Sequence, residues 1–275
     1  MLFSTFPTNK SVGEGANLGK TSWAEISAIA RSGNASKYFS IGDRKSITID
    51  GTIYCARIID FNHDDLTHAE LYGTATNGKA GITFDVKELW PTTVAYYSPG
   101  VLNDESYKVS WGGASGYEST LRSTVMPTIE AALPADLQSV IVYVNKLYRY
   151  YTAATFSSKI ATSIDRLFVM NPVELGLDTG SWEKEEGTVY SFFDTYKNRT
   201  TTYCRGPAED GTSTKDHLCD YWTRGVMATT VSTSDDTMVN RPKCVHFAGY
   251  YSPSIVGTQA FDTSTKIYTN FSFCV

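Results

Sequence analysis

Cysteine and long apolar runs are both scarce in this sequence of 275 residues. The five cysteines are an odd number, which leaves at least one thiol unpaired, and they are too few for a disulfide scaffold. The longest apolar runs, such as Val140–Val144, fall far short of the roughly 20 residues that a membrane-spanning helix needs. The sequence therefore predicts neither a disulfide-stapled protein nor a membrane protein.

The cysteines are also too widely spaced for a common zinc site. They are Cys55, Cys204, Cys219, Cys244 and Cys274, and no two of them fit the Cys-x₂₋₄-Cys arrangement. We interpret them as small hydrophobic residues of a reducing compartment. Cys204 and Cys219 flank a polar loop, and they are the pair to test first for a bridge.

Basic residues are fewer than acidic residues in this chain. It has 24 Lys and Arg and 29 Asp and Glu, which gives a formal net charge of −5. Nucleic-acid binding depends on Lys and Arg that neutralise phosphates, so we expect no nucleic-acid partner. The opening residues, MLFSTFPTNK, lack a charged segment followed by an apolar one, which predicts no secretory signal. A protein without a secretory signal can leave its cell inside a particle that is released by cell lysis.

Local patterns predict a short arm followed by packed elements. Residues 1–19 are polar and Gly-rich without periodicity, which is typical of an N-terminal arm. Apolar residues at helical spacing follow Thr21 and end near Gly33, which predicts a helix. Asp50-Gly51 separates two alternating apolar and polar segments, which predicts a β-hairpin.

The order of the elements indicates the fold class. A later helical segment contains Pro127, which predicts a kink or a break there. The C-terminal third has the pattern of short strands and loops. Helices and strands thus occur in blocks, which favours an α+β fold with few helices and mostly antiparallel strands. We predict an arm at residues 1–19 and a single loop-rich domain at residues 20–275.

Motifs for nucleotide binding and for nucleophilic catalysis are missing. Gly19-Lys20-Thr21 resembles the end of a phosphate-binding loop, but five residues separate Gly13 from Gly19 where that loop has four. No Gly-x-Ser-x-Gly motif occurs, and none of the four histidines accompanies a nucleophile motif. The sequence therefore predicts no cofactor and no enzymatic activity.

The densest polar cluster consists of His63, Asp64, Asp65, His68 and Glu70. Imidazole and carboxylate groups bind zinc, manganese or calcium, so His63, Asp65 and His68 are candidate ligands of a metal-dependent lectin. The two histidines are five residues apart, however, and the helical zinc motif needs a spacing of four. We favour a turn after a strand, in which Asp64 bonds local backbone and His63 packs.

A glycan-degrading enzyme is the enzymatic alternative. Glycoside hydrolysis needs two carboxylates, which any part of a chain can supply, and Asp64, Asp65 and Glu118 are the candidates. Because the sequence has 29 acidic residues, a pair can always be proposed.

Aromatic residues are the feature that needs an explanation once these motifs fail. The chain has 18 tyrosines, 13 phenylalanines and 5 tryptophans. Tyrosine and tryptophan in loops stack on the apolar faces of sugars and are common at recognition surfaces. The candidate ligand-binding residues are Trp111, Tyr117, Trp182, Tyr221, Trp222 and Arg224.

Several segments occur in the order shown by one domain family of unknown function. They are Trp23–Gly51, Ile58–Leu66, Gly81–Phe84, Leu121–Lys146, Thr162–Gly176, Tyr221–Gly225 and Asn270–Val275. Over residues 20–275 the chain resembles this family, which is common in phages and prophages of Gram-positive gut bacteria and in some bacterial surface proteins. Tyr221–Arg224 and the terminal Phe-Cys strand are also similar to the last third of C-type-lectin-like and formylglycine-generating-enzyme-like folds.

The family resemblance implies a component of the virion, because family members often lie among phage structural genes. One form of this prediction is a non-enzymatic, tail-associated module that binds a host-surface glycan, and the other is a capsid decoration or fibre component. Both forms imply other virion proteins as partners and a homo-oligomer. The family's Gly-Val-x-Pro-Ala phrase before Phe-Cys is replaced by Tyr268–Ser272, so the loop that it supports is expected to differ.

Overall fold

The structure is a computed structural model of the chain. It describes residues 17–71, 75–86, 88–97, 109–114, 116–151, 158–177, 183–194, 205–206, 217–218, 221–230, 238–247, 255–260, 266–267 and 269–275. Of the predicted arm it describes residues 17–19, where Leu18 is buried in the main core. Trp182, Cys204 and Cys219 lie outside the described residues, and only the backbone of Tyr221 is described.

Short helices are few in the described part of the chain. The α-helices are α1 (Trp23–Arg31), α2 (Ala35–Tyr38), α3 (Met126–Ala132) and α4 (Ala135–Gln138). Single helical turns lie at Leu18–Lys20, Ala69–Leu71, Glu183–Glu186 and Ser191–Asp194, and a π-helical turn lies at Leu121–Val125. None of the helices described is long and apolar enough to cross a bilayer.

Strands supply most of the regular structure. They are β1 (Arg44–Ile49), β2 (Thr52–Phe61), β3 (Ile82–Val86), β4 (Val94–Ala95), β5 (Val109–Ser110), β6 (Tyr117–Glu118), β7 (Val144–Tyr151), β8 (Ser158–Asp165), β9 (Leu167–Phe168), β10 (Arg205–Gly206), β11 (His217–Leu218), β12 (Tyr221–Thr230), β13 (Met238–Phe247), β14 (Ile255–Ala260), β15 (Lys266–Ile267) and β16 (Ser272–Cys274). Their pairings are antiparallel except for β5 with β6. The predicted α+β class, with few helices and mostly antiparallel strands, is confirmed.

A five-stranded sheet forms the centre, in the order β1-β2-β3-β16-β9. Helix α1 packs on it through Trp23, whose ring meets Phe84 and Phe273 edge-on at centroid distances of 5.5 and 5.9 Å. The helix approaches so closely that a Cβ added at Gly81 would lie 2.3 Å from the carbonyl oxygen of Ala30. Glycine is therefore required there for the contact between helix and sheet.

Local signals account for α1 and for the first hairpin. The Ser22 hydroxyl accepts from the Glu25 N–H (3.3 Å), and the Glu25 carboxylate accepts from the Ser22 N–H (2.9 Å), which is a capping box. After the helix, Gly33 adopts a φ of 71°. Asp50 and Gly51 have φ values of 48° and 79°, as a two-residue type I′ hairpin requires. The predicted helix and hairpin are both confirmed.

The predicted irregularity at Pro127 is a change of helix type. The Met126 N–H donates to the Leu121 carbonyl, which closes the π-helical turn before α3 begins. Pro127 has no N–H to donate, and it suits the first turn of α3, where such donors have no helical partner. This junction places Arg122, within the π turn, beside the end of β8.

Candidate functional site

The candidate ligand-binding residues with described side chains lie mostly in the interior. Trp111 and Trp222 are fully buried, and each indole N–H has an internal acceptor: Asp165 Oδ2 at 3.0 Å for Trp111, and a backbone carbonyl at 2.8 Å for Trp222. Arg224 is fully buried as well, whereas Tyr117 is half-buried. These residues are not brought together at the surface, and their contact with a ligand stays a prediction.

The three candidate metal ligands have separate partners. Asp65 pairs with Lys79 at 2.6 Å, and His68 lies 3.4 Å from a neighbouring glutamate. His63 Nε2 lies 2.9 Å from the Thr188 hydroxyl. In the part of the chain that the structure describes, no three His, Cys, Asp or Glu side chains are placed to hold a metal ion.

An open cleft of about 280 Å³ lies beside the π turn, α3 and the end of β8. Its size approaches the lower limit of roughly 300 Å³ for small-molecule sites. Its walls combine an exposed aromatic ring, an exposed aliphatic side chain, two guanidinium groups and three carboxylates. The side chains in question are Glu118, Arg122, Glu130, Tyr143, Ile164, Asp165 and Arg166. Glu118, one of the carboxylates predicted for an enzyme, thus lies in the cleft, whereas Asp64 is buried and Asp65 lies elsewhere.

The β7–β8 hairpin provides an aromatic and an aliphatic side chain to the cleft. Tyr143 directly precedes β7, and Ile164 and Asp165 end β8; the antiparallel register brings these ends together, with Val144 opposite Asp165. Tyr143 is 46% exposed and Ile164 is 51% exposed. Two apolar groups therefore face solvent on one wall of the cleft.

Arg122 is held in place by three acceptors. Its Nε donates to Asp165 Oδ1 (2.6 Å), its Nη1 pairs with Glu118, and its Nη2 donates to the Ile164 carbonyl (2.9 Å). Burial alone would lower the pKa of Arg122, but Asp165 and Glu118 outweigh it and raise that pKa. Trp111, by donating to Asp165, fixes the carboxylate that orients this guanidinium.

Arg166 forms the second polar wall. Its guanidinium carbon lies 5.4 Å from the centre of the Tyr143 ring, a cation–π contact. Its Nη1 pairs with Glu130, and its Nη2 donates to the backbone carbonyls of Gln138 and Ile141. Both arginines of the cleft are thus fixed by carboxylates and by backbone, which pre-organises them for a ligand.

The groups of the cleft are of the kinds that contact sugars. An aromatic ring beside an aliphatic side chain covers the apolar face of a pyranose, and paired guanidinium and carboxylate groups donate to and accept from hydroxyls. Sequence reasoning missed Tyr143, Ile164 and Arg166. Tyr143 directly precedes β7, and the sequence pattern of that strand does not show which tyrosine lies at a surface.

Comparisons with known proteins add no relative, because no family model, curated protein or solved structure matches the chain. The resemblance to a phage domain family and the similarity to C-type-lectin-like folds therefore stay predictions. The cleft is the observation on which a function can rest.

Proposed function

We propose that the protein is a non-enzymatic component of a phage virion that binds a host-surface glycan through the cleft. One observation carries the glycan part: the exposed ring of Tyr143 shares an open cleft with paired guanidinium and carboxylate groups. The virion part rests on the sequence, which resembles a phage family and shows no recognisable catalytic motif. A tail-associated position suits the role better than a capsid decoration, because the cleft must reach the cell surface.

A homo-oligomer would strengthen such binding. The cleft is small and open, so one copy buries little of a glycan and binds it weakly. Several copies held in one particle bind a repetitive polysaccharide with an avidity about 10² to 10⁴ times the single-site affinity. Display in several copies is therefore part of the proposal.

The partners of the cleft carboxylates favour binding over hydrolysis. A glycosidase needs one carboxyl group that gives a proton to the leaving sugar. Glu118 and Asp165 are engaged by Arg122, and Glu130 is engaged by Arg166. Carboxylates that are held by guanidinium groups suit hydrogen bonding to hydroxyls better than proton donation.

Binding to purified host cell-wall polysaccharides, measured by calorimetry and on a glycan array, tests the glycan part. We expect Tyr143→Ala to weaken binding on the order of tenfold, because the stacking contact is lost. Tyr38→Ala is the matched control: Tyr38 is 37% exposed and lies on α2, outside the cleft. Unchanged binding in Tyr143→Ala, or an equal loss in both variants, would contradict the proposal.

Two further measurements test the rest of the proposal. The chain should copurify with intact phage particles, and antibody labelling should place it at the tail. If the polysaccharide is shortened on incubation and Glu118→Gln abolishes that cleavage, the enzymatic alternative replaces the proposal. Binding that requires a chelatable metal ion would favour the metal-dependent lectin instead.

A further inference from the structure

Lys146 meets two carboxylates inside the protein. Its side chain belongs to the inward face of β7, and its Nζ lies 2.6 Å from Asp64 Oδ1 and 2.6 Å from Glu174 Oε1. Each of the three side chains is only 3% exposed. A primary amine and a carboxyl group are therefore in contact in a site that excludes bulk water.

A second cation, Arg224, belongs to this cluster. Arg224 donates to Glu174 Oε1 at 2.8 Å, so two cations face two carboxylates. Burial alone would raise the pKa of Asp64, but Lys146 and His63 outweigh it and hold that pKa well below its usual value. Burial likewise opposes the charge of Lys146, yet Asp64 and Glu174 raise its pKa. A reaction that removes one charge of each sign would give up their attraction as well as their desolvation cost, and it would leave the Arg224–Glu174 pair matched.

The carboxyl group of Asp64 is polarised by two hydroxyl donors. The Thr83 hydroxyl donates to Oδ2 at 2.6 Å, and the Tyr190 hydroxyl donates to Oδ1 at 3.0 Å. Thr83 and Tyr190 are themselves fully buried. Donors held at this distance stabilise the negative charge that an oxygen gains when a nucleophile attacks its carbon.

Aromatic rings surround the amine. Nζ of Lys146 lies 4.3 Å from the ring centre of Phe168 and 5.3 Å from that of Tyr190. Both rings are fully buried. The three groups rest in their charged forms, because their mutual attraction raises the pKa of Lys146 and lowers those of Asp64 and Glu174. The neutral amine that acts as the nucleophile therefore forms only transiently, by proton transfer within the contact.

We propose that Lys146 and Asp64 form an intramolecular amide bond, with Glu174 as the proton carrier. Asp64 takes a proton from the ammonium group within their contact and becomes a neutral carboxyl group, and the Nζ lone pair attacks its Cγ. Glu174 then takes the second proton from the nitrogen and passes it to the departing oxygen. Thr83 and Tyr190 hold the oxygens of the tetrahedral intermediate. The C–O bond then breaks, and the departing oxygen leaves as water with the two protons that the nitrogen has lost.

The step needs no oxidant, cofactor or activating group. One ammonium and one carboxylate give one amide and one water, so atoms and charge balance. Glu174 ends in its original state beside Arg224. The bond would join positions 82 residues apart and tie β7 to the loop that follows β2.

The next residue in the chain offers a matched contrast. Asp65 pairs with Lys79 at the same distance of 2.6 Å, but the side chains are 65% and 36% exposed. Water stabilises both ions there, and among the described residues no hydroxyl group donates to that carboxylate and no aromatic ring packs against the Lys79 ammonium group. We expect this second pair to stay ionic.

The mass of the intact, full-length chain after reduction and alkylation tests the proposal. We expect a mass below that of the sequence by one water, about 18 Da, and a branched peptide after proteolysis that joins the segments of Asp64 and Lys146. A chain of full sequence mass, with the two segments recovered as separate peptides, would overturn the proposal. This readout uses the wild-type protein, so it does not depend on whether a variant folds.

Variants identify the groups that react. Lys146→Arg keeps the positive charge and should show no mass loss. Asp64→Asn should lose ammonia, about 17 Da, and give a product identical to the linked wild type. Glu174→Gln should accumulate unlinked chain, and Lys79→Arg should link as fully as the wild type. Linkage that persists in folded Lys146→Arg, or a branched peptide at Asp65 and Lys79, would overturn the assignment.

Discussion

The cleft and the buried cluster use the same kinds of side chains but differ in their access to water. In the cleft, Arg122 and its partner Glu118 are 24% and 36% exposed. In the cluster, Lys146, Asp64 and Glu174 are each 3% exposed. Water screens the cleft pair and lets hydroxyls of a ligand compete for it. In the cluster no solvent competes, so the ion pair is held in one arrangement. Burial thus separates the cleft, for which we propose reversible binding, from the cluster, for which we propose a cross-link.

Removing the second cation of the cluster should have the largest effect. Arg224→Met leaves Glu174 buried beside Lys146 alone, or beside an uncharged amide if the cross-link has formed. We expect a loss of about 3–5 kcal/mol in the free energy of unfolding, measured by urea denaturation. The exposed Arg44 on β1 is the control, and Arg44→Met should change stability by less than about 0.5 kcal/mol. If both substitutions lowered the free energy of unfolding equally, burial would not explain the importance of Arg224.

Asp165 connects the cleft with the interior, and its substitution should have the next largest effect. Asp165→Asn keeps the shape but weakens the bonds from Trp111 and Arg122. We expect a loss of about 1–3 kcal/mol in unfolding free energy and weaker glycan binding, because Arg122 is no longer held. Asp50→Asn is the control, since Asn-Gly suits the hairpin turn as well as Asp-Gly does. Full stability together with lost binding would show that Asp165 contacts the ligand itself.

Elements fixed by neighbouring residues could be predicted from the sequence. Helix α1 begins where Ser22 and Glu25, three residues apart, satisfy each other's backbone N–H groups. The hairpin forms because Asp50 and Gly51 tolerate positive φ. The cluster was not predictable in this way, because Asp64 and its partner on β7 are 82 residues apart and no periodicity links them.

The aromatic residues show the same limit for the site. Composition indicated recognition loops, but Trp111 and Trp222 are interior residues whose indole N–H groups find internal acceptors. Tyr143 is exposed because it lies just before β7, at the rim of a cleft that four other segments complete. Exposure is a property of the assembled fold, and the local pattern around a tyrosine does not contain it.

The titration of His63 reports the state of the cluster. Its ring packs on Tyr190 at 4.2 Å, with Nδ1 3.6 Å from Asp64 Oδ1. With Asp64 ionised, burial lowers the pKa of His63 but the carboxylate, aided by Glu174 and opposed by Lys146, raises it above the ordinary value. An amide at Asp64 carries no charge, so burial should then prevail and lower that pKa.

The two states of the cluster give opposite pH dependences. In unlinked chain, represented by Lys146→Arg, the contribution of His63 to stability is full below about pH 6.5 and is lost as pH rises through its raised pKa. In linked chain that contribution is present above about pH 6.5 and is lost as pH falls through the lowered pKa. NMR titration of the His63 ring in both proteins measures the difference. A raised pKa in a chain whose mass shows complete linkage would contradict this account.

The exposed pair of Lys79 and Asp65 should give the smallest effect, and it isolates the role of burial. Its N–O distance equals that of Lys146 and Asp64, so geometry is held constant while exposure changes. We expect Lys79→Gln to cost less than about 1 kcal/mol, because water already solvates both ions. The cost should vanish in about 1 M salt, where the screening length falls to about 3 Å. Lys146→Gln, which removes the proposed cross-link together with the buried charge, should cost several times more and should not respond to salt. If Lys79→Gln proved as costly as Lys146→Gln, distance rather than burial would govern both pairs, and the contrast between cleft and cluster would fail.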